Sequence, residues 1–301
     1  MKYNSYYFAG YGDGKIYLGN YTTPLQILEI DEDLKHKIVR RIDLDDLTLA
    51  FKEPQIAVEP PYFYFYEGAV PYLYSGTITD WRATLRFKTG DYFSQLKPID
   101  QDNVAVRFIE QPSGESILGS INLIDTVRLK ERKLLERQFD GIFDTDGKLA
   151  YNKTLKKLVY VYYYRNQYIL FSSDLHTVSR GNTIDTTSRA DVKLVTITSK
   201  NKTTYSKPPR VVNNSIATDG NILYVHSTLP GQFEDLKIWK RAIIIDMYQL
   251  QNKSYLSSFY LHDESGEKVK SFIVDGSNLY GLVGTKLVKY QLKKDIKIKR
   301  P

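Results

Sequence analysis

One short pattern recurs along the whole chain: a turn rich in Asp, Gly and Asn, followed by an apolar strand that carries an aromatic residue. The turn contains Asp-Gly three times and has a looser form once, and two further strands lie in phase without it. The strands are centred 47, 41, 54, 64 and 57 residues apart, at Ile16, Phe63, Val104, Leu158, Ile222 and Leu279. One four-stranded propeller blade needs roughly 40–50 residues, so the spacing indicates blades with longer loops in the second half of the chain.

A second apolar run follows most of these strands, often ending in an acidic residue: 25–31, 168–174, 242–246 and 287–292. Asp-Gly turns suit tight hairpins, because Gly accepts positive φ without steric cost. A four-stranded sheet buries neither face alone, so such sheets stack around an axis. The sequence therefore predicts an all-β, six-bladed β-propeller of four-stranded antiparallel blades. A β-sandwich and an irregular β-solenoid of the same length are the alternatives.

Two charged segments, 34–42 and 128–137, could each be a short helix or an outer strand. Each follows three strand-like runs, so we predict outer strands. The domain boundaries that we predict are 1–292 for a single propeller and 293–301 for a basic tail or last outer strand.

The glycine-rich start and one proline-containing run also resemble a known group of proteins. Residues 5–20, SYYFAGYGDGKIYLGN, and residues 58–64, VEPPYFY, resemble uncharacterised six-bladed propeller proteins of Bacteroidota. The general repeat is similar to the TolB-like and NHL-like propellers. The resemblance covers nearly the whole chain and implies the fold, but its motifs carry no catalytic signature.

Charge and composition exclude several classes of function. The formal net charge is +7, from 42 Lys plus Arg against 35 Asp plus Glu, and residues 293–301 supply more than half of it. The rest of the chain is too weakly basic for a nucleic-acid footprint, so we expect no nucleic-acid partner. No cysteine is present, which excludes disulfides and thiolate chemistry. No stretch approaches the roughly 20 apolar residues of a membrane span. We expect a monomer, in the periplasm or cell envelope if a leader or anchor has been removed, and otherwise in the cytoplasm.

No motif for catalysis or for a cofactor stands out. The four histidines, His36, His176, His226 and His262, lack metal-ligand spacing. The glycine-rich stretch 10–14 leads into a strand rather than a helix, so it predicts a hairpin and not a phosphate site. The sequence predicts no metal and no cofactor.

Cationic residues beside aromatic residues occur on three successive predicted blades. A propeller gathers equivalent loops at one face, and Arg with Trp or Tyr can bind a carboxylate or a sugar. Salt bridges between blades are the structural alternative. The candidate ligand-binding residues are Asp80, Trp81, Arg82, Arg107, Tyr164, Arg165 and Asn166.

Three functions are compatible with this sequence. The leading hypothesis is a non-enzymatic binding or scaffold module for an unknown protein, peptide or carbohydrate. The alternative is a propeller enzyme, a sugar or lactone lyase or hydrolase that uses carboxylates from several blades and a divalent metal. A third is a membrane-surface module held by the basic tail 293–301.

Overall fold

The computed structural model describes residues 5–88, 90–197 and 202–292. Within these ranges the chain is built of short strands and a single six-residue helix, α1 (Leu236–Arg241), so the prediction of an all-β chain is confirmed. No helix in the same ranges is long and apolar enough to cross a membrane. The basic tail 293–301 lies outside the described residues.

The strands form consecutive antiparallel units, which we number as blades 1 to 6. Blade 1 contains β1 (Tyr6–Gly12), β2 (Lys15–Asn20), β3 (Gln26–Asp31) and β4 (Lys37–Arg41), and a two-residue strand, β5 (Asp43–Leu44), follows it. Blade 2 contains β6 (Gln55–Glu59), β7 (Tyr62–Glu67), β8 (Tyr72–Thr77) and β9 (Arg82–Lys88). Blade 3 contains β10 (Tyr92–Pro98), β11 (Asn103–Ile109), β12 (Ser116–Asn122) and β13 (Arg128–Glu131).

The second half of the chain repeats this arrangement with longer connections. Blade 4 contains β14 (Gly147–Asn152), β15 (Lys157–Tyr162), β16 (Gln167–Ser172) and β17 (Val178–Asn182). A separate hairpin, β18 (Leu194–Ile197) with β19 (Lys202–Tyr205), precedes blade 5. Blade 5 contains β20 (Asn213–Asp219), β21 (Ile222–Ser227), β22 (Ala242–Gln249) and β23 (Ser254–His262), and α1 precedes β22. Blade 6 contains β24 (Val269–Asp275), β25 (Asn278–Val283) and β26 (Lys286–Gln291).

The first strands of the blades form a closed ring. β1, β6, β10, β14, β20 and β24 contact each other in this order, and β24 contacts β1 again. Closure of this kind defines a β-propeller, because the sheets pack face to face around an axis and few edges stay open. We count blades from this ring rather than from separate sheets, since a parallel bridge joins blades 1 and 2 into one nine-stranded sheet.

Strand direction divides the molecule into two faces. The turns between first and second strands lie on one face, which we call the hairpin face. The turns between second and third strands and the connections between blades lie on the opposite face, which we call the loop face. The long connections, of which the structure describes 183–197, 202–212 and 228–241, therefore lie on the loop face.

The repeat seen in the sequence corresponds to one position in every blade. All six residues used to measure its spacing lie in second strands, and the second apolar runs correspond to third strands. The Asp-Gly turns close the β1–β2, β20–β21 and β24–β25 hairpins, with positive φ at Gly14, Gly220 and Gly276. Each of the two charged segments contains an outer strand, as predicted: β4 in 34–42 and β13 in 128–137, where residues 132–137 continue as turns and irregular chain.

The core lies between neighbouring blades and is rich in aromatic rings. Phe63 and Phe65 of β7 face blade 1, whereas Tyr64 of the same strand packs with Phe93 of blade 3. All of these rings are buried. The buried rings of these aromatic runs therefore stabilise the stack of blades.

Candidate ligand-binding channel

A cavity of about 460 Å³ lies inside the ring, and the first strands of all six blades contribute to its lining. Four of these strands, β1, β10, β20 and β24, contain a bulge where the register with the second strand shifts. A bulge turns side chains away from the regular alternation of a strand. Lys270 lies at the bulge of β24, between Val269 and Ser271, and lines the cavity.

The charged side chains of this lining are mostly cationic. They are four lysines and one carboxylate: Lys97, Lys148, Lys153, Lys270 and Glu59. Lys153 pairs with Glu59, and no ion pair of the other three lysines is found within the described ranges. The described lining therefore has a formal charge of +3. Field lines focus in a cleft lined by one sign of charge, so this cavity attracts anions.

Lys153 narrows the channel at the hairpin face. Its Nζ lies 2.7 Å from Oε1 of Glu59 and 5.0 Å from the centre of the Tyr11 ring. These residues belong to blades 4, 2 and 1, so the ammonium group connects strands that are not neighbours in the ring. Burial raises the pKa of Glu59, while the bond from Lys153 opposes this shift. Lys153 and Glu59 thus neutralise each other at this end.

Gln95 fixes the geometry between β10 and β14. Its Nε2 donates to the carbonyl oxygen of Gly147 at 2.7 Å, and its Oε1 accepts from the backbone nitrogen of Leu149 at 2.9 Å. Lys148 lies between these two residues, at the level of Gln95. Lys97 is two residues further along β10, and a strand rises about 3.3 Å per residue, so it lies about 7 Å deeper towards the hairpin face.

Lys97 is surrounded by protein, although its side chain is exposed to the water of the channel. This enclosure, together with the charge of Lys148, lowers the pKa of Lys97 to about 8. Both effects act against the ammonium form: one removes part of its hydration and the other is like-charge repulsion. The channel therefore contains an amine that is partly neutral near physiological pH.

Tyrosines surround the lysines and supply flat surfaces and hydroxyl groups. The rings of Tyr7 and Tyr21 lie 4.6 Å apart, and the ammonium group of Lys148 lies 5.7 Å from the centre of the Tyr163 ring. The hydroxyl of Tyr7 accepts a hydrogen bond of 2.7 Å from the nitrogen of Ile56, which ties blade 1 to blade 2. Burial raises the pKa of Tyr7, so its hydroxyl stays protonated. Tyrosine and lysine together are suited to a polar ligand with a negative charge.

The structure brings two of the sequence-predicted residues together on the loop-face side. Arg107 forms an ion pair with Asp146 and lies 3.2 Å from the hydroxyl of Tyr160. Tyr164 forms a hydrogen bond of 2.9 Å with Tyr205, and the carboxylate of Asp146 contributes to its raised pKa after burial. Arg107 is thus largely engaged by blade 4, as the salt-bridge alternative predicts.

Asp80 and Trp81 lie elsewhere, in the turn between β8 and β9 on the hairpin face, and Arg82 is the first residue of β9. Trp81 is buried and has φ 56°, and its ring packs 4.9 Å from the ring of Phe63. Asp80 accepts from the backbone nitrogen of Arg82 at 3.2 Å. These residues belong to the opposite face from Tyr164, so the predicted convergence of all three blades on one loop cluster does not form.

Arg165 and Asn166 organise the loop face from within. The guanidinium of Arg165 is fully buried, lies 3.7 Å from the Tyr162 ring, and donates from Nη2 to the carbonyl oxygen of Glu136 at 2.8 Å. The backbone nitrogen of Asn166 donates to the carbonyl oxygen of Thr187 at 2.8 Å. Arg165 thus holds the connection that precedes blade 4, Asn166 holds the connection that follows it, and neither lines the channel.

The channel lysines were missed because the sequence was read from second strands. Lys97, Lys148 and Lys270 occur seven to ten residues before Val104, Leu158 and Leu279, which are centres of second strands. The residues seven to ten positions before these centres lie in the first strands, which face the axis. The same step applied to each blade would have identified three cationic positions around one channel.

The described residues offer no ready metal site. In the ranges 5–88, 90–197 and 202–292, no group of three or more His, Asp or Glu side chains is placed to hold a metal ion. Asp31, the acidic residue at the end of β3, accepts from the backbone nitrogens of Lys35 at 2.7 Å and His36 at 3.0 Å, and so caps the turn that follows. The metal-dependent version of the enzymatic alternative has no supporting cluster in these ranges.

Comparison with solved structures places the chain among β-propellers. It superposes on a member of the DUF4221 family from Bacteroides vulgatus with a TM-score of 0.55 and 14% identity, over 96% of this chain and 94% of that one. It superposes on a luciferin-regenerating enzyme with a TM-score of 0.50 and 12% identity, over 94% and 85% of the two chains. A chain of a nidogen–laminin complex gives a TM-score of 0.50 and 10% identity, over 83% and 76%. At these identities the likeness shows the fold alone.

No protein-family model and no curated protein matches the sequence. The Bacteroides neighbour agrees with the resemblance seen in the sequence at the level of a propeller fold. The function of the chain therefore has to be argued from its own channel.

Proposed function

We propose that this chain is a non-enzymatic binding module that holds a small anionic ligand inside its ring of first strands. The observation that carries the proposal is the cluster of Lys97, Lys148 and Lys270, which lines one enclosed cavity with Glu59 already neutralised by Lys153. Three cations that repel each other reduce the stability of the unliganded fold. Binding sites commonly retain such unfavourable groups because a ligand compensates them.

The shape and chemistry of the cavity favour a ligand of modest size. A volume of about 460 Å³ is within the range of small-molecule sites, which run from roughly 300 to 1,000 Å³. Lysine ammonium groups can donate to a carboxylate or a phosphate, and tyrosine rings can stack on the apolar face of a sugar. Sugar acids combine both features, so we take them as the leading ligand class.

The position of Lys153 indicates the route of entry. Its contacts with Glu59 and Tyr11 occupy the hairpin end of the channel. Lys148 and Lys270 are each the second residue of a first strand, and so lie near the loop face. We infer that the ligand enters from the loop face and that its negative group meets these two lysines first.

The seven residues proposed from the sequence stay a prediction for a second surface. Arg107 and Tyr164 lie on the side of the loop face, where a protein or peptide could contact the rim. Asp80 and Arg82 lie on the hairpin face. Neither the two residues on the loop-face side nor the two on the hairpin face line the channel. We therefore assign them a role separate from the binding of a small anion.

The proposal is tested by calorimetric titration with D-glucuronate, and with D-glucose as the neutral probe of the same shape. We expect glucuronate to bind with an affinity that falls as salt rises, and glucose to bind far more weakly. Lys148→Gln and Lys270→Gln should each weaken glucuronate binding about tenfold, since a charged hydrogen bond contributes about 1.5 kcal/mol.

Lys237→Gln is the matched control, because Lys237 is an exposed lysine of α1 that does not line the cavity. Its affinity should equal that of the wild type. Equal losses in all three variants, or no binding of glucuronate, citrate or phosphate by the wild type at millimolar concentration, would contradict the proposal.

A further inference from the structure

Lys97 differs from the other lysine at the deep end of the channel. Lys153 is held by Glu59 at 2.7 Å, whereas no carboxylate of the described ranges pairs with Lys97. The neighbours of Lys97 on β10, Leu96 and Pro98, are both buried, so the strand is fixed on either side of it. Its amine therefore projects from a rigid strand into the cavity and has no anionic partner.

The groups around this amine are cationic or phenolic. The charge of Lys148 acts on it from β14, Lys270 lies on β24, and the tyrosines of blades 1 and 2 that line the channel include Tyr7, Tyr11, Tyr21 and Tyr66. Burial raises the pKa of each of these tyrosines. At neutral pH they carry no negative charge that would hold Lys97 as an ammonium ion.

An amine in such surroundings is a nucleophile. A lysine is activated when it is desolvated or placed beside another cation, because both conditions favour the neutral form. Enclosure and Lys148 supply these two conditions, and the pKa of Lys97 is lowered to about 8. At pH 7.5 a substantial fraction of the amine is unprotonated, whereas exposed lysines, with a pKa near 10.4, are almost entirely charged.

We propose that Lys97 captures carbonyl compounds as Schiff bases, and that the ligands of this channel are anionic aldehydes or ketones. The proposal rests on the anion site described above: Lys148 and Lys270 would hold the carboxylate or phosphate, and the carbonyl would meet the amine of Lys97, whose Cα lies about 7 Å deeper along the strand direction and whose long side chain extends into the same cavity. A keto acid or the open-chain form of a sugar acid has both groups.

The chemistry is balanced without any further reagent. The lone pair of Nζ attacks the carbonyl carbon and a C–N bond forms, which gives a carbinolamine. Its C–O bond then breaks, and the oxygen leaves as water with the two hydrogens that Nζ carried. The product is an imine, and hydrolysis reverses every step. The ammonium group of Lys148 and the water of the channel can supply and accept the protons.

Reductive trapping with glyoxylate tests this inference. The full chain is mixed with one equivalent of glyoxylate and cyanoborohydride at pH 7.5, and the modified lysines are identified by peptide mass spectrometry. We expect Lys97 to be modified at least tenfold faster than Lys237, and expect this preference to be smaller, but still present, with the neutral aldehyde propanal, which lacks the carboxylate. An excess of D-glucuronate should slow attachment of the glyoxylate-derived group to Lys97 and leave its attachment to Lys237 unchanged.

Two variants separate chemistry from charge. Lys97→Arg keeps the cation and removes the amine, so total modification should fall to that of the surface lysines. Lys148→Gln should move the pH midpoint for modification of Lys97 upward, because it removes one cause of the lowered pKa. A merely structural lysine would show no such shift.

The outcomes distinguish this inference from the proposed function. Equal modification of Lys97 and Lys237 would overturn the Schiff-base inference, and continued binding of glucuronate would then leave the anion site intact. If Lys97 and Lys237 are modified equally and glucuronate does not bind, the Schiff-base inference and the proposed function are both overturned. If Lys97→Arg fails to fold, the competition between glucuronate and glyoxylate in the wild type gives the same decision.

Discussion

Lys153 and Glu59 form an ion pair across the channel, with 2.7 Å between Nζ and Oε1, although their blades are separated by a third blade. The pair closes the hairpin end with groups of opposite charge, whereas the cationic lysines face the space above it. One end of the ring is therefore neutral and narrow, and the remainder of the lining is basic. This polarity follows from the direction that all first strands share, since each strand presents its early residues to the loop face and its last residues to the hairpin face.

Glu59→Gln should increase the affinity of the channel for anions. The substitution leaves Lys153 unpaired and adds one positive charge to the lining. A charge about 10 Å from a bound carboxylate contributes roughly 1.5 kcal/mol at an effective dielectric constant near 20, before screening, so we expect glucuronate to bind about three- to tenfold more tightly. Calorimetric titration at low and moderate salt measures this, and the gain should shrink at the higher salt concentration.

Glu115→Gln is the matched control for this experiment. Glu115 pairs with Arg137 at 2.7 Å and does not line the channel, so its loss frees a cation far from the ligand. Glucuronate affinity should be unchanged. Both variants break partly exposed ion pairs, and each should lower the free energy of unfolding by about 1 kcal/mol or less. A rise in affinity in both variants would show that net charge alone is responsible.

Lys97→Gln should stabilise the chain at pH 7, and the gain should vanish at high pH. The folded pKa of Lys97 is lowered from 10.5 to about 8. Because the pKa of Lys97 is lower in the folded chain, the unfolded chain binds the proton more strongly. The free energy of unfolding therefore increases as pH rises from about 8 to 10.5. The penalty of the wild type is fully present below about pH 8 and is lost above about pH 10.5. Unfolding by urea, followed at pH 7, 9 and 10.5 in both proteins, measures the difference.

The buried tyrosines titrate in the same alkaline range, so the comparison uses the difference between variant and wild type rather than either curve alone. Lys237→Gln is the matched control, because this lysine is exposed on α1 and does not line the channel. A stability difference between Lys97→Gln and the wild type that does not change with pH would contradict the lowered pKa of Lys97.

Asp246→Asn should stabilise blade 5 at neutral pH. Burial raises the pKa of Asp246 to about 6, while hydrogen bonds from Ser258 and Tyr248 oppose the shift. A raised carboxyl pKa means that the ionised form is penalised in the folded chain: the penalty is full above about pH 6 and absent below about pH 3.8. The variant should therefore gain up to about 3 kcal/mol at pH 7.5 and nothing at pH 3.8.

Asp174→Asn provides the opposite case. Asp174 accepts hydrogen bonds from Ser172 and from the nitrogen of His176, which lower its pKa. Its variant should lose stability at neutral pH, and the loss should disappear under acid. Unfolding by urea at pH 7.5 and pH 2.5 compares the two variants, because the loss for Asp174→Asn declines only as pH falls below the ordinary carboxyl pKa of 3.8. The same sign of pH dependence in both would be inconsistent with burial as the cause for Asp246.

The elements that the sequence predicts well are those that carry their own local pattern. Second strands such as the one centred on Phe63 are continuous apolar runs, because they are packed on both faces, and Gly14 marks a hairpin that requires positive φ. The first strands lack such a pattern: their bulges interrupt the alternation, and residues such as Lys270 face water in the channel rather than a neighbouring blade.

The cationic site could not be predicted from a local motif because Lys97, Lys148 and Lys270 each lie on a different blade. Lys97 and Lys148 are 51 positions apart in the sequence and become neighbours only when β10 and β14 pack together. Trp81 and Arg165, in contrast, each lie in a short stretch of aromatic and charged residues, which makes them candidates for ligand binding. In the structure both side chains are buried. A ring-shaped fold distributes its functional groups over the whole chain, so local motifs are poor guides to them.

Gly10→Ala should destabilise the ring more than Gly14→Ala does, and should also weaken ligand binding. Gly10 lies opposite Val58 where β1 and β6 meet, and a Cβ at this position would lie 1.9 Å from the carbonyl oxygen of Val58. The two first strands would have to separate, which we expect to lower the free energy of unfolding by about 3 kcal/mol. Gly14 has φ 71° but open space around its Cβ position, so only backbone strain of about 1 kcal/mol applies.

The binding measurement gives this comparison its functional content. Gly10 lines the channel and Gly14 does not, so glucuronate affinity should fall only in Gly10→Ala. Both variants are compared by urea unfolding and by calorimetric titration under conditions in which each is folded. If Gly10→Ala binds glucuronate as the wild type does, the spacing of β1 and β6 does not position the ligand. The anion would then be held by Lys148 and Lys270 alone, which lie on strands away from this contact.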